Sequence, residues 1–88
     1  MMFIILAYDV QTARVAKAGK IASKYLHPVQ KSVYEGHLTE TRIKQLKYEL
    51  RQILDVSRDS IVIYLHQPDG SLQKESLGKQ LWSDEPIL

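Results

Sequence analysis

The first ten residues constrain this chain more than any others. Met1 through Ala7 is apolar without a break, and Tyr8-Asp9-Val10 follows at once. Phe3-Ile4-Ile5-Leu6 joins aromatic and β-branched character with no polar alternation, the pattern of a strand covered on one or both faces. The run falls well short of the ~18 residues of a membrane span. It also lacks a basic flank and a small-residue cleavage site, so it reads as a strand and not as a leader. An acid that ends such a strand is held rigidly where the chain leaves the core, yet it reaches solvent. Asp9 is therefore the first candidate for chemistry. One use is as a hard oxygen ligand for Mg²⁺ or Mn²⁺ near a phosphodiester. The plainer use is to cap the following helix and complement its dipole.

The rest of the chain can be read as what covers or pairs with that strand. A helical pattern runs from about Thr12, taken as its N-cap, to Leu26. Val15, Ala18, Ala22, Tyr25 and Leu26 fall in one arc at ~100° per residue, opposite Arg14, Lys17, Lys20 and Lys24. His27-Pro28 ends that helix. Val29 to Leu38 is strand-like and holds no Asn-Gly or Pro-Gly signal. It reads as one long kinked strand, or two short ones joined by a bulge near Lys31-Ser32. Thr39 caps a second helix to about Leu54, with Ile43, Leu46, Leu50, Ile53 and Leu54 at helical spacing. Ser60 to Leu65 is the second strongly apolar strand, and Pro68-Asp69-Gly70 a turn. Ser71 to Leu88 is weakly patterned: a short strand through Leu72 to Leu77, then a tail with Trp82 and Pro86-Ile87-Leu88.

The order β-α-β(β)-α-β predicts an α+β sandwich of the ferredoxin-like βαββαβ kind, one sheet with both helices on one face. The domain is expected over residues 1–70, with 71–88 as a C-terminal strand and tail at a dimer interface. An uncovered sheet face is the natural surface for a second copy. A chain of 88 residues has a thin core, since domains of this size bury roughly 60–65% of their unfolded surface. Trp82, Ile87 and Leu88 have no obvious place in so small a core, so the tail is expected to lie on the partner subunit. The chain has no cysteine, which excludes disulfides and thiolate metal sites and suits a reducing cytoplasm.

Net charge is only +2, but it is unevenly spread. Residues 1–38 carry five Lys/Arg against two acids, and residues 39–88 carry seven against eight. Arg14, Lys17, Lys20 and Lys24 can follow a phosphate backbone, or can be an ordinary solvated helix face. Arg42, Lys44, Lys47 and Arg51 are interrupted by Glu40 and Glu49 and read as solvated. Tyr8, Tyr34 and Tyr64 can stack bases, although strand tyrosines commonly pack with a wet tip. Ser32 can contact a phosphate or a metal-bound water, or simply sit at a bulge. His27, His37 and His66 lack the short spacing of a zinc site. No P-loop, dinucleotide fingerprint or nucleophile elbow is present.

Three stretches together resemble a known family: Tyr8-Asp9-Val10, Val29 to Gly36 (Val-Gln-Lys-Ser-Val-Tyr-Glu-Gly), and Asp59 to Tyr64 (Asp-Ser-Ile-Val-Ile-Tyr). They look like the small second protein of the CRISPR adaptation module, which partners the CRISPR integrase. The resemblance implies a ferredoxin-like homodimer in which Asp9 of each subunit faces the other and the pair holds one divalent metal, Mg²⁺ or Mn²⁺. One carboxylate per chain is too few for such a site, so this use requires the two-fold partner. Members are described as metal-dependent endonucleases on RNA or duplex DNA, and as the adaptor on which integrase dimers capture spacer DNA. Tyr8, Ser32 and Tyr34 match positions near the family's site, and Tyr34 stands where Phe is common. The last strand of the family adds to the partner's sheet. The expected function is thus spacer acquisition, with phosphodiester hydrolysis through paired Asp9. The rival is a non-catalytic adaptor between integrase and protospacer DNA. A ferredoxin-like RNA-binding or regulatory module ranks below both, because Phe3 and Tyr34 form no RNP motif.

Overall fold

A computed structural model of the chain describes residues 1–78. The opening apolar run forms β1 (Met2–Asp9), and the rest is laid around it. The chain continues through α1 (Thr12–Tyr25), β2 (His27–Gln30), β3 (Val33–Leu38), α2 (Glu40–Ile53), β4 (Ser60–His66) and β5 (Leu72–Gly78). The strands form one antiparallel sheet in the order β2-β3-β1-β4-β5. The first four strands have ferredoxin-like topology, as expected. The lack of polar alternation in β1 follows from its place: it is the middle strand, paired with β3 on one side and β4 on the other.

Side chains alternate across a strand, so β1 feeds two different surfaces. Ile4, Leu6 and Tyr8 point into the core with Ile61, Ile63, Leu65, Tyr34 and Leu38. Ala18 and Ala22 of α1 and Ile43, Leu46 and Leu50 of α2 close that core from the helical side. Each of the large apolar side chains contributes roughly 1.5–3 kcal/mol by burial. Phe3, Ile5, Ala7 and Asp9 alternate onto the other face, together with Val62 and Tyr64 of β4. No element of the described residues covers that face, and Ile5 is 37% exposed there.

Two local findings differ from the expectations, one at the start of α1 and one at Lys31-Ser32. Thr12 is the first helical residue and not the cap: Gln11 occupies the N-cap position and makes no side-chain capping bond. By contrast Thr39 caps α2 as expected, its hydroxyl accepting the Arg42 N–H at 3.2 Å, a bond worth about 1 kcal/mol. Residues 27–38 form a tight hairpin, with Lys31-Ser32 as the turn and the bulge in β2 between Pro28 and Gln30. Ser32 takes the left-handed backbone (φ 66°) that Asn or Gly would ordinarily supply. Its carbonyl accepts the Tyr8 N–H at 3.0 Å, which fastens the turn to the end of β1.

The boundary drawn near residue 70 falls in the β4–β5 hairpin, where Gly70 (φ 90°) makes the turn. Leu72–Gly78 then pairs with β4 of its own chain along its whole length. The remainder of the expected tail, with Trp82, Ile87 and Leu88, lies outside the described residues. Among the described residues no helix is long and apolar enough to cross a membrane.

Candidate functional site

Asp9 ends β1 on the uncovered face, opposite Ser60 at the start of β4. Its side chain is exposed and makes no hydrogen bond or ion pair among the described residues. The helix-capping role that competes with metal binding is filled by another acid, Asp59. That side chain is fully buried. Its Oδ1 accepts the Gln11 N–H and an Arg14 Nη2–H, each at 2.9 Å. Its Oδ2 accepts the Asp55 N–H at 2.9 Å and also the Arg14 Nε–H. The Arg14 guanidinium, more than offsetting the cost of burial and helped by the Asp55 and Gln11 N–H groups, holds the Asp59 carboxyl at about 2. A bidentate guanidinium–carboxylate pair with both oxygens satisfied is the form in which a buried acid stays charged.

The four cations of α1 have different surroundings. Arg14 is occupied by Asp59. Lys24 donates to Glu49 of α2, which also accepts the Tyr25 hydroxyl. Lys24 and then the Tyr25 hydroxyl hold the Glu49 carboxyl below its usual range. Lys17 and Lys20 are exposed and have no ion-pair partner among the described residues. The α1 face thus offers two unengaged lysines where the sequence pattern offered four cations.

Tyr8 and Tyr34 alternate onto the helical side of the sheet, away from Asp9. Both rings are buried and lie nearly parallel, with centroids 6.1 Å apart and planes at 23°. Their hydroxyls meet beneath Gly19, where a Cβ would come within 3.2 Å of each. Burial, then the Tyr34 hydroxyl, push the Tyr8 phenol up, and a bond with Ser32 pulls it partly back. These rings are not exposed for base stacking in this arrangement. Ser32 is half-buried at the hairpin turn, beside the end of β1.

Asp9 suits a hard divalent cation: it is an exposed carboxylate with no cation already paired to it. It cannot make a site alone, because no cluster of three or more His, Cys, Asp or Glu occurs among the described residues. The residue that sequence reasoning missed is Asp59. Its one local signal is an acid directly before a strongly apolar strand, and two of its three partner residues, Gln11 and Arg14, are 48 and 45 residues away.

These features define a class: a single ferredoxin-like α+β domain with one exposed acid at the end of its first strand, at the margin of an uncovered apolar face. The family model described as CRISPR associated protein Cas2 matches residues 2–73. The curated CRISPR-associated endoribonuclease Cas2 of Thermotoga maritima is 40% identical over 83 residues, covering 94% of this chain and 95% of that one. Its counterpart from Frankia alni is 37% identical over 87 residues, covering 99% and 100%. Among solved structures, a Cas2 crystal structure superposes with a TM-score of 0.71 at 31% identity over 99% of this chain and 98% of the other. Streptococcus pyogenes Cas2, crystallised at pH 6.5, gives 0.67 at 33% identity over 72% and 83%. The chain belongs to the CRISPR-associated Cas2 family.

Proposed function

We propose that this chain acts in CRISPR adaptation as a homodimer, with metal-dependent phosphodiesterase activity through Asp9 of both subunits. The observation that carries the reading is the state of Asp9. It is the acid at the exit of the central strand, it is exposed, and no cation neutralises it among the described residues. It also stands on the same face as Phe3, Ile5 and Ala7, the apolar surface that a second copy would cover. Two copies brought together there offer two carboxylates to one Mg²⁺ or Mn²⁺. When bound, such an ion supplies Lewis acidity and an activated water for attack on a phosphodiester. The protein's own part is to hold the acids rigidly on strand ends. Lys17 and Lys20 attract the phosphate backbone of duplex DNA or RNA, and the naming of the relatives as endoribonucleases favours RNA as a substrate.

The second reading is a passive adaptor that joins the integrase to protospacer DNA without cutting. The small donor set favours it: one exposed acid per chain at this site and no metal cluster among the described residues. Asp9→Asn separates the two. Lost cleavage of RNA and duplex DNA, with nucleic-acid and integrase binding retained, supports the nuclease. Cleavage that survives the change, or that disappears on further purification of the parent, leaves the adaptor.

A further inference from the structure

The Arg14–Asp59 pair ties the start of α1 to the α2–β4 turn, two stretches far apart in the chain. Asp59 is the last residue before β4, Gln11 is the cap of α1, and Asp55 begins the turn after α2. The Asp59 carboxylate receives an N–H from each of Gln11 and Asp55, and the Arg14 fork spans both its oxygens. Its backbone is fixed as well. The Asp59 N–H donates to the Asp55 carbonyl at 2.8 Å. On the far side Gly78 packs so tightly that a Cβ there would lie 2.3 Å from the Asp59 carbonyl oxygen.

Asp9 is caught between these anchors. Along the chain only Val10 separates it from Gln11, and Val10 packs against the core. Across the sheet Asp9 pairs with Ser60, the next residue after Asp59. Two of the tethers on the Asp9 backbone therefore start at Asp59; the third is the Tyr8 N–H bond to the Ser32 carbonyl on the β3 side. We infer that Asp59 is the positioning residue for Asp9, acting through Arg14 and the Gln11 N–H to aim the exposed carboxylate across the uncovered face. This rests on reading Asp9 as a metal ligand. In a site completed by a second copy, an error in the direction of one carboxylate is repeated in the other, so tolerance is narrow. Partners that orient a ligand without touching the ion typically control metal affinity or activity by 10–100-fold.

The test uses the full-length protein and Mn²⁺. Mn²⁺ binding is followed by the electron paramagnetic resonance of the free ion, and cleavage of RNA and duplex DNA is measured against Mn²⁺ concentration. Circular dichroism monitors folding. Arg14→Ala and Asp59→Asn are expected to raise the half-saturating Mn²⁺ concentration by about tenfold or more. The rate at saturating Mn²⁺ should stay within about threefold of the parent, because the ligand itself is intact. Arg14→Lys, which keeps the charge but not the fork, restores only part of the affinity. It also carries the test if Asp59→Asn does not fold. A purely architectural role would lower the melting temperature and leave half-saturation unmoved. Half-saturation within twofold of the parent for Arg14→Ala, while Asp9→Asn loses binding, overturns the positioning role and leaves Asp9 as the ligand. Binding unchanged in Asp9→Asn, or absent from the parent, overturns both readings together.

Discussion

Asp9 stands opposite Ser60, so the exposed acid of β1 and the buried acid Asp59 are neighbours at one end of the sheet. Their surroundings are opposite. Asp59 collects four N–H donors from two segments, the start of α1 and the turn after α2. Asp9 has no partner among the described residues. The difference follows from alternation and chain path. Asp9 is the last pleat of a strand and faces outward, whereas Asp59 lies before its strand begins, where a loop and a helix start converge on it. A fully bonded acid of this kind secures structure, and the one beside it keeps both oxygens unengaged among the described residues.

The pH dependence of stability should report Asp59. Its carboxyl sits at about 2 in the folded chain against an ordinary 3.8. A depressed acid contributes stability that is fully present above about pH 4 and disappears as pH falls toward about 2. The contribution at neutral pH is roughly 2 kcal/mol, from about 1.4 kcal/mol per unit. Urea unfolding between pH 5 and pH 2 should show that loss in the parent. Asp59→Asn should be less stable at pH 5 and should lose less on acidification. Equal slopes in the two proteins would show that other acids, such as Glu49 and Asp55, carry the transition.

Gly19 should resist an otherwise favourable substitution. Alanine in mid-helix is ordinarily better than glycine by about 1 kcal/mol. Here the added methyl would lie 3.2 Å from the hydroxyls of both Tyr8 and Tyr34, whose rings are fixed in the core. Gly19→Ala is expected to destabilise by about 1 kcal/mol, strain exceeding the gain in propensity. In a Tyr34→Phe background one hydroxyl is gone and the same change should be neutral or stabilising. Urea denaturation of the four proteins gives the coupling, expected at about 1 kcal/mol or more. A simple gain from Gly19→Ala in the parent would show that the hydroxyls can move aside.

The elements were legible because their patterns are strong and local. β1 and β4 are unbroken apolar runs, and α2 carries Ile43, Leu46 and Leu50 at helical spacing with Thr39 before it. What was not legible depends on distant partners or on backbone choices that side chains do not announce. Nothing near Lys24 reveals that Glu49 will sit against it, because the pairing arises only when α1 and α2 pack side by side. The hairpin between β2 and β3 was obscured because Ser32 does what glycine usually does. β5 was weakly patterned for a physical reason. It is an edge strand, and Glu75 on its helical side is paired with Lys47 of α2, so a charge occupies a position where alternation predicts an apolar residue.

The uncovered face makes a prediction about assembly. Ile5 is central in β1, paired across with Glu35 on one side and Tyr64 on the other. If a second copy covers this face, Ile5→Glu buries an unpaired charge and should convert a dimer to a monomer by light scattering at micromolar concentration. Tyr48→Glu should leave the mass unchanged, since Tyr48 is 65% exposed on α2, which packs against the opposite side of the sheet. A parent that is already a monodisperse monomer at this concentration would remove the shared-ion reading with it.

The last prediction separates the four cations of α1 by what already holds them. A lysine that contacts phosphate releases counterions, so losing it weakens binding and lowers the dependence of log K on log salt by about one per contact. Lys17 and Lys20 have no competing partner among the described residues. Lys17→Ala and Lys20→Ala should each weaken binding of duplex DNA or RNA and flatten the salt dependence by about one contact per subunit engaged. Arg14→Ala should leave that slope nearly unchanged and lower the melting temperature instead, because its guanidinium is committed to Asp59. Lys24→Ala should fall between them: its bond to Glu49 is solvent-exposed, and such surface pairs are worth at most about 1 kcal/mol. Fluorescence anisotropy at several salt concentrations, with melting curves on the same preparations, reads both effects. A salt slope that falls as far for Arg14→Ala as for Lys17→Ala would mean that nucleic acid draws Arg14 away from Asp59 on binding.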